Sequence, residues 1–122
     1  MIYKMSNTKI FENHVIDITN SDHRNKIVSE NKIVVIDYYT EWCGPCKEIK
    51  DEYNQLAKKY NIENVCILVK EDAEKTDMES LDEVIKSVPT FHFYVDGKLQ
   101  KTLTIKGANI SRVSATIDIL IE

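Results

Sequence analysis

Apolar residues along the chain fall into short unbroken runs and helix-spaced sets, with turn-forming residues between them. Ile33-Val34-Val35-Ile36-Asp37-Tyr38-Tyr39 is nearly all β-branched or aromatic, as a strand covered on both faces should be. Val65-Cys66-Ile67-Leu68-Val69 reads the same way. Asn13-His14-Val15-Ile16-Asp17-Ile18 predicts a first strand, and Thr19-Asn20-Ser21-Asp22 then offers N-cap residues for a helix reaching Val28. After Cys46, the positions Ile49, Tyr53, Leu56 and Tyr60 recur at helical spacing, and Asn61 ends the run. Met78, Leu81 and Ile85 predict a further helix. Thr90–Val95 and Leu99–Ile105 flank Asp96-Gly97, the dipeptide best suited to a tight two-residue hairpin. Ile110, Val113, Ile117 and Leu120 close the chain as an amphipathic helix capped by Ser111. The resulting order is βαβαβαββα. Strand–helix alternation makes the first part parallel, and the closing hairpin adds antiparallel edges, giving a three-layer α/β sandwich with a mixed central sheet flanked by helices.

At 122 residues the chain has the length of one domain. Residues 1–12 are more polar and read as a short N-terminal extension, with the domain over 13–122. A net charge of −4 and small, scattered lysine groups argue against a general nucleic-acid binder. No run approaches the length of a membrane span, and Met1–Asn7 has no apolar segment of the secretory kind. Three cysteines are an odd number, so a fully paired disulfide framework is excluded. Without a signal, that usage predicts a reducing compartment, the cytoplasm.

Chemistry concentrates in Asp37-Tyr38-Tyr39-Thr40-Glu41-Trp42-Cys43-Gly44-Pro45-Cys46-Lys47. A bare C-x-x-C is weak evidence, but here it follows a buried strand and opens a helix, the context that redox chemistry requires. Unpaired N–H groups and the positive end of a helix stabilise a thiolate. Cys43 is therefore the expected attacking sulfur and Cys46, one turn inside, the resolving one. A closed zinc site needs four ligands and there is no second cysteine hook, so no metal is expected. Cys66, between Val65 and Ile67, reads as a buried inert thiol. His14, His23 and His92 have no matching ligand set.

The Trp-Cys-Gly-Pro-Cys-Lys signature resembles the thioredoxin family, and the resemblance extends to Val88-Pro89-Thr90-Phe91, to the Asp96-Gly97 hairpin and to Lys106-Gly107-Ala108-Asn109. It implies the thioredoxin fold over residues 13–122 and a thiol–disulfide oxidoreductase that reduces protein disulfides through a mixed disulfide. It further implies that Pro89 is a cis-proline facing the dithiol, with Val88 offering its backbone to a substrate peptide. Asp37 matches the buried carboxylate beneath the dithiol, which takes the resolving cysteine's proton through water, and Lys70 matches the lysine beside it. Trp42, Gly44, Pro45, Gly107 and Ala108 match the substrate-docking rim, and the Gly44-Pro45 pair is typical of reductants. No bound cofactor is implied; electrons come from an NADPH-dependent thioredoxin reductase. The partners are disulfide-containing proteins and that reductase, and the chain is expected to be a monomer.

Plainer roles compete at three positions: Asp37 as a cap or ion-pair partner, Lys70 as a solvated strand end, and Trp42 as simple packing. The chain also departs from the family's pattern. Asp51 stands where a kinking proline is usual, which predicts a straighter helix after the dithiol. Lys101–Ile105 is about two residues longer, which predicts an extended or bulged last hairpin. Thr76 and Ser87 occupy the places of the additional cysteines of some animal thioredoxins. A non-catalytic binding module, and an oxidase or isomerase of a secretory compartment, stay open on these residues.

Overall fold

The computed structural model describes residues 14–122, so the expected extension over 1–12 and the first residue of the expected first strand lie outside the described residues. Along the chain the order is β1 (Ile16–Asp17), α1 (Ser21–Glu30), β2 (Ile33–Tyr39), α2 (Gly44–Glu48), α3 (Lys50–Tyr60), β3 (Cys66–Asp72), a 3-10 turn (Met78–Ser80), β4 (Thr90–Val95), β5 (Lys98–Leu99), a second 3-10 turn (Lys101–Leu103), β6 (Ile105–Lys106) and α4 (Ile110–Ile121). The sheet runs β1-β3-β2-β4-β5, with β6 also paired to β4. Strands β1, β3 and β2 are mutually parallel, and β4 joins β2 antiparallel.

Alternation along the central strands explains their unbroken apolar runs. Ile33, Val35, Cys66, Leu68, Phe91 and Phe93 point to a core shared with Ile49, Tyr53 and Ala57 of the dithiol helices and with Val113 and Ile117 of α4. Val34, Ile36, Tyr38, Ile67, Val69 and Tyr94 point the other way, towards Ile27 of α1 and Ile85. Both faces are covered, so neither set needs polar alternation. Asn20 caps α1 by accepting the His23 N–H at 2.8 Å, and Asn109 caps α4 by accepting that of Arg112 at 3.0 Å, so the cap of the last helix is Asn109 and not Ser111. Asp96 and Gly97 have φ of 51° and 82°, the left-handed pair that a two-residue hairpin of this twist demands.

Three local expectations are corrected. The helix expected around Met78, Leu81 and Ile85 is a single 3-10 turn followed by irregular chain to Pro89. Short polar side chains there satisfy the backbone locally: Glu74 N–H donates to Asp72 Oδ1, Thr76 Oγ1 to the Asp72 carbonyl and Ser80 Oγ to the Asp77 carbonyl. Such bonds compete with helical ones, while Met78, Leu81 and Ile85 still reach the core from a non-helical path. Secondly, the helix after the dithiol is broken at Ile49, despite the absence of proline at 51. Ile49 has φ −97° and ψ 3°, and its N–H reaches the carbonyls of both Pro45 and Lys47. Its buried side chain packs in the Tyr53 cluster at the junction of the two helices. Thirdly, the strand expected over Leu99–Ile105 is interrupted by the Lys101–Leu103 turn, which absorbs the added length and lays Leu103 against the core.

The irregular segment is anchored by a buried ion pair. Arg24 donates from Nε and Nη2 to the two carboxylate oxygens of Glu71, each at 2.9 Å, and from Nη1 to Ser80 Oγ at 3.0 Å. Thr76 Oγ1, whose proton goes to the Asp72 carbonyl, also lies 3.0 Å from Glu71 Oε2. Removing one partner leaves a buried charge uncompensated. Arg24→Leu is expected to lower the unfolding free energy by about 3 kcal/mol or more, and adding Glu71→Leu is expected to recover part of that loss; urea titrations of the two variants measure both.

Candidate active site

Strand β2 delivers the site. It runs through the core to Tyr39, and the next residues lead into Cys43, which is the N-cap of α2. Pro45 occupies the first turn, where its missing N–H costs nothing and its fixed φ suits the helix. Cys43 and Cys46 are joined as a disulfide with Cα atoms 5.3 Å apart. The Cys46 N–H donates to Cys43 Sγ at 3.1 Å. The Cys43 sulfur thus sits at the helix start with a backbone N–H directed at it. Cys66 differs entirely: it is wholly buried, and desolvation pushes its thiol up to about 12.

Two cavities flank the disulfide. One, of about 390 Å³, is lined by Trp42, Cys43, Gly44 and Pro45 on one side and by Ile85, Lys86, Ser87 and Val88 on the other. Trp42 is 68% exposed at its edge, with Nε1 donating to Glu74 Oε2 at 2.8 Å. The Val88–Pro89 peptide is cis. The other cavity, of about 470 Å³, reaches Cys46, Asp37 and Lys70 from the opposite side. The structure therefore brings Trp42, Cys43, Gly44, Pro45 and Val88 to one groove. Gly107 and Ala108 border a separate depression beside Asn109, though the Gly107 N–H donates to the Pro89 carbonyl at 2.8 Å and so borders the cis-proline.

Asp37 is 6% exposed, and its Oδ1 has no hydrogen-bond partner. Burial raises its pKa from 3.8 to about 7, with the Lys70 ammonium opposing the shift. A carboxyl group so poised is half ionised near neutrality, as a proton acceptor for a thiol must be. Tyr53, packed beside it, donates to the Val69 carbonyl at 2.8 Å and contacts the Val35 carbonyl at 3.2 Å. Glu74 and Lys86, which nothing in the sequence marked, also line the groove, as do Met78 and Ile85, which the periodicity marked only as helix positions. Asp17 and Tyr39 were likewise missed, although both line the Cys46-side cavity.

A strand, a C-x-x-C helix start and an opposed cis-proline on a mixed sheet define a dithiol protein of the thioredoxin class. The family model Thioredoxin matches residues 14–118. The chain is 33% identical over 100 residues to a thioredoxin of Coprinus comatus, covering 82% of this chain and 92% of that protein. It is 41% identical over 91 residues to human thioredoxin, covering 75% and 82% respectively. The solved structure of Plasmodium falciparum thioredoxin superimposes with a TM-score of 0.75 at 32% identity, over 86% of this chain and 98% of that one. The chain belongs to the thioredoxin family, has its fold, and is a thiol–disulfide oxidoreductase.

The Asp37 shift carries a stability consequence. Between pH 3.8 and about 7 the folded protein holds a proton that the unfolded chain has released, so stability falls as pH rises through this window. Asp37→Asn is expected to stabilise the protein by about 1.4 kcal/mol per unit of the shift. The gain should be absent below the window and constant above it. Thermal or urea unfolding of both proteins from pH 3.5 to 8.5 checks the profile.

Proposed function

We propose that the protein reduces disulfides of other proteins, with Cys43 as nucleophile, Cys46 as resolving thiol and Asp37 as the acceptor of the Cys46 proton. The Cys43 thiolate attacks one sulfur of a substrate disulfide, and the other leaves as a thiolate. Cys46 then gives its proton to Asp37 and its sulfur bonds to Cys43 Sγ. The bond from Cys43 to the substrate breaks, and the second substrate sulfur departs with the electron pair. Two electrons have moved from the dithiol to the substrate, and the Cys43–Cys46 disulfide remains.

One observation carries this division of labour. Cys43 Sγ sits at the helix start, accepting the Cys46 N–H, with the substrate-sized groove on its side, whereas Cys46 adjoins the cavity that holds Asp37. Docking along Trp42, Gly44, Pro45 and Val88 is supported by the groove they share, and participation of Gly107 and Ala108 by the Gly107–Pro89 hydrogen bond. The reading includes recycling by an NADPH-dependent thioredoxin reductase, action as a monomer without a bound cofactor, and residence in the cytoplasm. The unpaired Cys66 thiol suits a reducing compartment. Lys70 modulates Asp37 and is a secondary member of the site.

Reduction of insulin disulfides with NADPH and a thioredoxin reductase tests the cycle as a whole. Cys46→Ser is expected to stop it after the first exchange, because a hydroxyl cannot displace the sulfur. That variant should accumulate dithiol-releasable complexes with substrates on non-reducing gels, at least tenfold more than Cys43→Ser. Equal trapping by the two variants, or by neither, overturns the roles given to the cysteines.

A further inference from the structure

Three charged residues stand in register across the parallel strands. In β1 and β3, Asp17 lies opposite Lys70; in β2 and β3, Asp37 lies opposite Lys70. Residues level with one another on neighbouring strands project to the same face of a sheet. The lysine thus sits between two carboxylates, and its ion pair is with the outer one: Nζ is 3.9 Å from Asp17 Oδ2. The same Nζ lies 5.1 Å from the centre of the Tyr39 ring, and the Tyr39 hydroxyl donates to Asp17 Oδ1 at 2.9 Å. Tyr39 belongs to β2 and Asp17 to β1, so this bond spans the intervening strand β3 and the ring closes over the ammonium. Asp37 Oδ1, on the inner side, is left without a hydrogen bond.

We propose that Asp17 and Tyr39 form a clamp that holds the Lys70 ammonium away from Asp37, leaving Asp37 free to accept the proton of Cys46. The proposal rests on the reading of Asp37 as that base. Asp17 is a positioning residue: it acts through Lys70 and touches neither sulfur. Its carboxylate is half exposed and holds the ammonium from the outer side of the row. Were Lys70 released, it would meet a buried carboxylate with an empty acceptor, and the opposite charge would favour the ionised, weakly basic form. Among the described residues no other cation is so placed. Lys47 and Lys50 of the dithiol helices border the same cavity but are exposed, as is Glu41. Tyr53 has its proton committed to a backbone carbonyl, and β4 sets the uncharged Phe91 opposite Asp37.

The test is a carbon-13 NMR titration of the Asp37 carboxyl carbon in the reduced, full-length protein, alongside the pH dependence of single-turnover disulfide reduction. Asp17→Asn is expected to move the Asp37 midpoint down by about one pH unit or more, and the acid limb of the resolving step should move with it. Tyr39→Phe should shift it in the same direction by less, and Asp17→Glu should restore it. Lys70→Gln alone should raise the midpoint, and in that background Asp17→Asn should have no effect. A midpoint unmoved by Asp17→Asn overturns the clamp. So does an equal shift with and without Lys70, which would mean direct repulsion between the two carboxylates. A midpoint that moves as expected while the rate profile stays fixed upholds the clamp and overturns the role of Asp37 as base.

Discussion

A carboxyl group withdrawn from water and left without a partner keeps its proton close to neutrality, and the site is organised around that condition. Asp37 meets it because β2 is the inner strand of the sheet, with β3 parallel on one side and β4 antiparallel on the other. Helices α2 and α3 cover the face on which Asp37 projects, and Tyr53 of that layer spends its proton on a backbone carbonyl. Had Tyr53 donated to the carboxylate instead, the ionised form would be favoured and the basicity lost. The stability given up by burying this group is, under the proposed mechanism, the cost of holding a base beneath the dithiol.

The two sulfurs divide their surroundings in the same way that they divide the reaction. Cys43 meets the groove with its apolar rim, where a partner chain can lie against Trp42 and Val88. Cys46 meets the cavity on the other side, which contains ionisable groups and connects them to solvent. Under the proposed mechanism electrons and protons travel by separate routes, the first through the groove and the second through the cavity of Asp37.

Much of this was legible in the sequence because it rests on local rules. The runs in β2 and β3, the Asp96-Gly97 hairpin, and the C-x-x-C between a strand and a helix each follow from backbone preferences and periodicity. The misreadings have a common source in tertiary contacts. The spacing of Met78, Leu81 and Ile85 is helical, but Arg24 and Glu71 hold Ser80 and Thr76 in a path that a helix would not take. At Ile49, packed in the core, the helix breaks without a proline. The row of Asp17, Lys70 and Asp37 was present in the sequence as Val15-Ile16-Asp17, Leu68-Val69-Lys70 and Val35-Ile36-Asp37, three segments with the same apolar-apolar-charged order. Only the register of pairing reveals that the charged positions are level.

The irregular stretch between β3 and β4 gives the groove two walls of unlike stiffness. The wall carrying Cys43 to Pro45 is built into a helix start, so its atoms are fixed by backbone bonds and core packing. The facing wall, from Ile85 to Val88, is irregular chain with little backbone laddering of its own, held by the burial of Ile85 and by Thr90 Oγ1 donating to the Ser87 carbonyl at 2.7 Å. Regions held in that way open locally at lower free energy than helices and strands. A chain lying in the groove thus meets a helix-built edge on one side and a less regular bank on the other.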